Sequence, residues 1–151
     1  MSPLIFLDID GVLNNNPWMA KNGFGTLDPF NVQMLVRLVE LTDANLVISS
    51  DWRLYYSYEI LCSRLINDGV PNRFLGATPC LETEGDNDDK IVPRGLEIDA
   101  WLKINSWQDS FCILDDQSDM KPHQDRLILT NEDRGLVEID LEKAILLLMK
   151  G

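Results

Sequence analysis

The chain has 151 residues, 45% of them hydrophobic, and a formal net charge of −12. Its length suits one domain, 1–151, with one full core, and its composition excludes a disordered chain. The acidic balance repels polyanions, which argues against a nucleic-acid coat protein, and no apolar run approaches the ~20 residues of a membrane helix.

The start, MSPLIFLDID, has no basic stretch and no small-residue cleavage site, so it does not read as a signal peptide. Residues 4–7 form a continuous apolar run that leads into Asp8, Asp10 and a turn at Gly11, as expected of a strand buried on both faces. The stretch NNNPWMAKNGFGTLD (14–28) reads as a loop. Asp28 and Pro29 read as the cap and first turn of a helix whose apolar face is Val32, Leu35, Val36 and Val39. ANLVISS (44–50) is a second buried strand, and Tyr58, Leu61, Cys62 and Leu65 repeat the helical spacing before Asp68-Gly69. RFLGAT (73–78) reads as a short strand and CLETEGDNDDKIVPRG (80–95) as a long acidic surface loop. Ile98, Trp101 and Leu102 mark another helix, with Trp101 in the core. SFCILDD (110–116) and RLILT (126–130) are the last strands, and Leu141, Ala144, Ile145 and Leu148 mark a closing helix.

Strands alternate with helices throughout. This predicts a three-layer, doubly wound α/β fold of Rossmann-like type, with a mostly parallel five-stranded sheet. The three cysteines, Cys62, Cys80 and Cys112, form no CxxC pair, which fits reduced thiols in a cytoplasmic protein.

In such sheets, ligands bind beyond the carboxyl ends of the strands. Three strands end there in polar groups: Asp8 and Asp10, Ser49 and Ser50, and Asp115 and Asp116. Two carboxylates about 4 Å apart at an effective dielectric of 20 repel by ~4 kcal/mol, so protons or a cation must relieve the cluster. An all-oxygen donor set suits a hard ion, with Mg2+ the expected choice. An aspartate there can form an aspartyl-phosphate, a second can move the leaving-group proton, and hydroxyls and a basic side chain can hold phosphoryl oxygens.

FLDIDGVL, then LVISS, then FCILDD with Asp119 resemble, in order and spacing, the first, second and fourth motifs of the haloacid dehalogenase (HAD) superfamily. More narrowly, the chain resembles the small capless HAD domain found in Swiss Army Knife RNA repair proteins. The resemblance implies an HAD-like fold and a magnesium-dependent phosphatase. Asp8 would be nucleophile and metal ligand. Asp10 would be general acid/base and give its backbone carbonyl to the metal. Ser49 would bind the phosphoryl group, Asp115 would ligate the metal, and Asp116 or Asp119 would support it. The basic residue of the third motif would be Arg94, with Lys90 and Lys103 as alternatives.

The resemblance favours a nucleotide or a nucleic-acid 3′-phosphate end as substrate. The two positions where relatives carry a cap, 12–45 and 54–93, have no room for one, so the site should be open to a phosphorylated small molecule or a polymer end. Ser50 competes with Ser49. Arg53 reaches the substrate or is a solvated helix-start residue, and Trp52 stacks on a base or packs. Asn14, Asn15, Asn16, Trp18 and Lys21 are candidate contacts to the leaving group. His123 reads as a surface-loop residue, and the acidic run from Glu82 to Asp89 as solvated. The competing class of function is a non-catalytic magnesium- or phosphate-binding regulatory module of the same fold. The presence of both Asp8 and Asp10 argues against it, because a binder needs no acid/base partner.

Overall fold

The computed structural model describes residues 2–81 and 92–149. The elements run β1 (Leu4–Leu7), α1 (Asn16–Asn22), α2 (Pro29–Thr42), β2 (Asn45–Ile48), α3 (Tyr58–Asn67), β3 (Phe74–Ala77), α4 (Arg94–Ile104), β4 (Phe111–Asp115), β5 (Leu127–Leu129) and α5 (Glu138–Leu148). The sheet order is β3-β2-β1-β4-β5, and all four strand pairs are parallel. The expectation of a mostly parallel sheet thus becomes an all-parallel one among the described residues. No helix there is long and apolar enough to cross a membrane.

The alternation of side chains along β1 divides the core in two. Ile5 and Leu7 face the layer built by Leu35 and Leu38 of α2, Leu61 and Leu65 of α3, and Leu141 and Ala144 of α5. Leu4 and Phe6 face the opposite layer, where Ile98, Trp101 and Leu102 of α4 pack. The Phe6 and Trp101 rings meet edge-on, 5.6 Å between centroids. A strand flanked on both faces needs apolar residues at every position, which is why residues 4–7 show no alternation in sequence.

Asp28 caps α2 as expected, accepting from the Phe30 amide at 2.9 Å. The expected loop 14–28 is corrected, because it contains α1. Asn15 caps this helix by accepting from the Trp18 amide at 2.9 Å, and Gly23, with φ +111°, ends it. α1 buries no residue, so it leaves no apolar period in the sequence. The acidic run and Lys90 lie outside the described residues.

Candidate active site

Strand register builds the site. Leu7 pairs with Ile48 on one side and Leu114 on the other. One residue further along each strand, Asp8, Ser49 and Asp115 therefore stand side by side. Two backbone bonds extend the ladder to this row: Ser49 N–H donates to Leu7 at 2.8 Å, and Asp8 N–H donates to Leu114 at 3.0 Å. Asp8 is 3% exposed and Asp115 fully buried.

Arg94, the first residue of α4, reaches across this row. Its Nη1 lies 3.0 Å from Asp8 Oδ2 and 2.8 Å from Asp115 Oδ2, and its Nη2 lies 3.4 Å from Asp51 Oδ2. Lys103 turns instead to Asp99 on its own helix, at 2.8 Å. The remaining oxygen of Asp115 accepts from the Gln117 amide at 2.9 Å.

Asp8, Asp115 and Asp116 each offer a carboxylate oxygen within 4.8 Å of the others. Asp116 is brought in by Gly11. The glycine turns with φ +80°, and a Cβ there would stand 2.3 Å from Asp116 Oδ2, so no larger residue leaves room for the carboxylate. Asp119 is not in this group; it lines a neighbouring cavity of about 290 Å3 with Arg94 and Gln117.

Burial is the largest cause raising the Asp8 pKa well above the usual carboxylate range; Asp115 adds to it and Arg94 opposes it. Burial and Asp115 also raise Asp116. The same burial works against the charge of Arg94, but Asp8 and Asp115 outweigh it and hold its pKa above the ordinary arginine value. Three carboxylates against one guanidinium leave the cluster short of positive charge. The all-oxygen donor set therefore fits a hard divalent cation. Among the described residues the buried Ser49 hydroxyl has no hydrogen-bond partner, which suits it to receive a ligand oxygen in the same row.

Asp10 is held differently. Its Oδ1 accepts from Asn14 Nδ2 and its Oδ2 from the Trp52 indole N–H, both at 2.9 Å. Both of its carboxylate oxygens are thus engaged, and Asp10 is not among the clustered carboxylates. Asn14 and Trp52 are positioning residues that sequence reasoning missed in this role. Trp52 lies 42 positions from Asp10, and only the fold joins them.

Several other candidates are engaged in structure. Ser50 caps the 3-10 turn Asp51–Leu54 by accepting from the Trp52 amide at 3.3 Å. Arg53 is buried against Glu97 in an ion pair of 2.6 Å, and its Nη1 donates to the Ser50 carbonyl at 2.9 Å. Glu97 also accepts from the Leu81 amide at 3.0 Å. Arg53 is therefore neither solvated nor free for substrate; it ties the 3-10 turn to α4. Asn15 bonds to Asp28 and Asn31 rather than facing a ligand. Asn16 donates to Asp133 and the Trp18 indole to Thr26. His123 pairs with Asp99 at 2.9 Å.

A family model described as the HAD domain in Swiss Army Knife RNA repair proteins matches residues 4–141. No curated protein and no solved structure matches the chain.

Proposed function

Because the chain belongs to the HAD domains of Swiss Army Knife RNA repair proteins, we propose that its HAD-type, phosphatase-like site is a magnesium-dependent phosphomonoesterase working through an aspartyl-phosphate. The observation that carries this reading is the buried Asp8 carboxylate, flanked by Arg94 at 3.0 Å and by the carboxylates of Asp115 and Asp116. Mg2+, held by Asp8, Asp115 and Asp116, would supply the positive charge that lets an anionic nucleophile approach an anionic phosphate.

The chain's own residues do the rest. Ser49 and Arg94 hold the phosphoryl oxygens. A carboxylate oxygen of Asp8 attacks phosphorus, and the ester oxygen leaves with the proton that Asp10 donates. Asp10, now ionised, takes a proton from water as that water attacks the same phosphorus. The Asp8–phosphate bond breaks, inorganic phosphate leaves, and Asp8 returns as a carboxylate. Asn14 and Trp52 hold the Asp10 carboxylate in one orientation through both steps.

Nucleotides and nucleic-acid 3′-phosphate ends are the substrates in keeping with the family description. Cys62, Cys80 and Cys112 are free, in keeping with a reducing, cytoplasmic setting. Hydrolysis of an aryl phosphate, with magnesium and with chelator, tests the proposal. Turnover should need both the metal and Asp8, and Asp8→Asn should lose at least ~10^4-fold in kcat. A folded protein that binds magnesium and turns over no phosphate would instead be a binding module.

A further inference from the structure

A second cavity, of about 350 Å3, shares Asp51 with the cavity beside Arg94. Asp10 and Trp52 line it. Tyr56 and Arg64 line it as well: the guanidinium lies 5.0 Å from the centroid of Trp52 and 5.5 Å from that of Tyr56, and donates to the Tyr56 hydroxyl at 3.0 Å. The rim is Phe24 and Tyr55, which are 87% and 77% exposed. Neither rim ring packs in the core, and both sit on the wall of one cavity, where an apolar ring gains from a partner.

We propose that this cavity binds the nucleoside of the leaving group, with its base stacked on Tyr55 and Phe24. The inference deepens the phosphomonoesterase reading and rests on it. Asp10 gives its proton to the leaving oxygen, so whatever that oxygen carries must lie on the Asp10 side, and this cavity is what Asp10 lines there. Its volume is in the range of small-molecule sites. The edges of a base find partners in the exposed Asp51 carboxylate, an acceptor, and the Tyr56 hydroxyl. A plain phenol would leave them unmatched. Stacking is tolerant of base identity, so the site should accept purines and pyrimidines.

The substrate pair adenosine 3′-monophosphate and ribose 5-phosphate tests this, since the second lacks the base. In Tyr55→Ala the ratio of their kcat/KM values should fall about tenfold, within the range base–aromatic stacking gives, and Tyr55→Trp should restore it. Both positions are exposed, so folding is not at stake. The same ratio is read without turnover from Kd values in Asp8→Asn and in Asp8→Asn/Tyr55→Ala. A ratio that moves in neither Tyr55→Ala nor Phe24→Ala overturns the pocket, and so does a phosphotyrosine peptide that outperforms the nucleotide and depends more strongly on Tyr55. If wild type hydrolyses no phosphate, the catalytic reading fails while the Kd ratio still decides the pocket. A 3′-phosphorylated tetranucleotide run beside the mononucleotide separates the sources, and either preference upholds a base in this cavity.

Discussion

Gly95, the second residue of α4, is where the site's support is tightest. A Cβ there would stand 2.2 Å from the Lys121 carbonyl oxygen and 2.4 Å from the Met120 carbonyl carbon and oxygen. These are backbone atoms and cannot swing aside. Ordinary contact needs about 3.5 Å, so the helix start or the 120–121 segment must shift by roughly 1 Å. Alanine would favour the helix itself by ~1 kcal/mol, whereas overpacking against backbone that cannot swing aside falls at the upper end of the usual range, about 2–3 kcal/mol. The steric cost wins, and Gly95→Ala should lower stability by ~1–2 kcal/mol, or about 3–8 °C in Tm for a chain of this size. The adjacent residue is Arg94, whose two short contacts to Asp8 and Asp115 have little tolerance. A displacement of roughly 1 Å should therefore cut kcat/KM by ~10- to 100-fold at saturating magnesium. Thermal unfolding followed by circular dichroism and hydrolysis of an aryl phosphate measure the two effects. A variant with an unchanged or raised Tm and full activity would refute the close packing of α4 on residues 120–121.

Trp52→Phe keeps an aromatic body but removes the N–H that Asp10 accepts; kcat should fall ~10-fold, as expected for a hydrogen bond to a charged group, and steady-state kinetics on a fast-leaving and a slow-leaving ester should show the larger loss on the slow one. Magnesium at ten times its Kd should stabilise the protein by about 1.4 kcal/mol, a Tm rise of ~3–5 °C; chelator should reverse the rise and Asp116→Asn should remove most of it, whereas a wild-type Tm indifferent to magnesium would count against the carboxylate cluster as a cation site. Hydrogen bonds from Lys103 and His123 hold the Asp99 carboxyl below its usual range. A depressed carboxylate stabilises above its unfolded pKa of about 3.9 and loses that contribution as pH falls through the folded value, so Asp99→Asn should narrow the gap to wild type in acid. The effect is small, a few tenths of a kcal/mol for so exposed a pair, and denaturant titrations at pH 7 and pH 3 measure it.

The parts of this molecule legible in the sequence are those with a local signature. Residues 4–7, 45–48 and 111–115 are apolar runs that finish in polar side chains, and this alone placed Asp8, Ser49 and Asp115 at strand tips. Arg94 could be put at a helix start, but its choice over Lys103 needed the fold, because only tertiary packing turns one toward Asp8 and the other toward Asp99. α1 was unreadable for want of a buried face. The short-range view of Arg53, as a free cation beside the second strand, failed for a related reason: its partner Glu97 is 44 residues away. Asn14, one of a run of three asparagines, read only as a candidate contact to the leaving group. Its place under Asp10 follows from the turn at Gly11, whose amide donates to Asn14 Oδ1 at 2.9 Å.

β1 lies in the middle of the sheet, with a parallel neighbour on each flank and four fully buried side chains. Its amides should exchange with solvent only through global opening, which would place the strand leading into Asp8 among the slowest-exchanging parts of the protein. The exposed rings on the second cavity, Phe24 just after α1 and Tyr55 at the end of the 3-10 turn, belong to the opposite end of that scale. α1 buries nothing, and the 3-10 turn after β2 buries only Trp52. Asp8 and the exposed rings of the second cavity thus differ sharply in how firmly the fold holds them. Exposed residues such as Phe24 and Tyr55 can be exchanged at little thermodynamic cost, so under the proposed function selectivity would be free to drift while the Asp8 carboxylate stays tied to the stability of the fold.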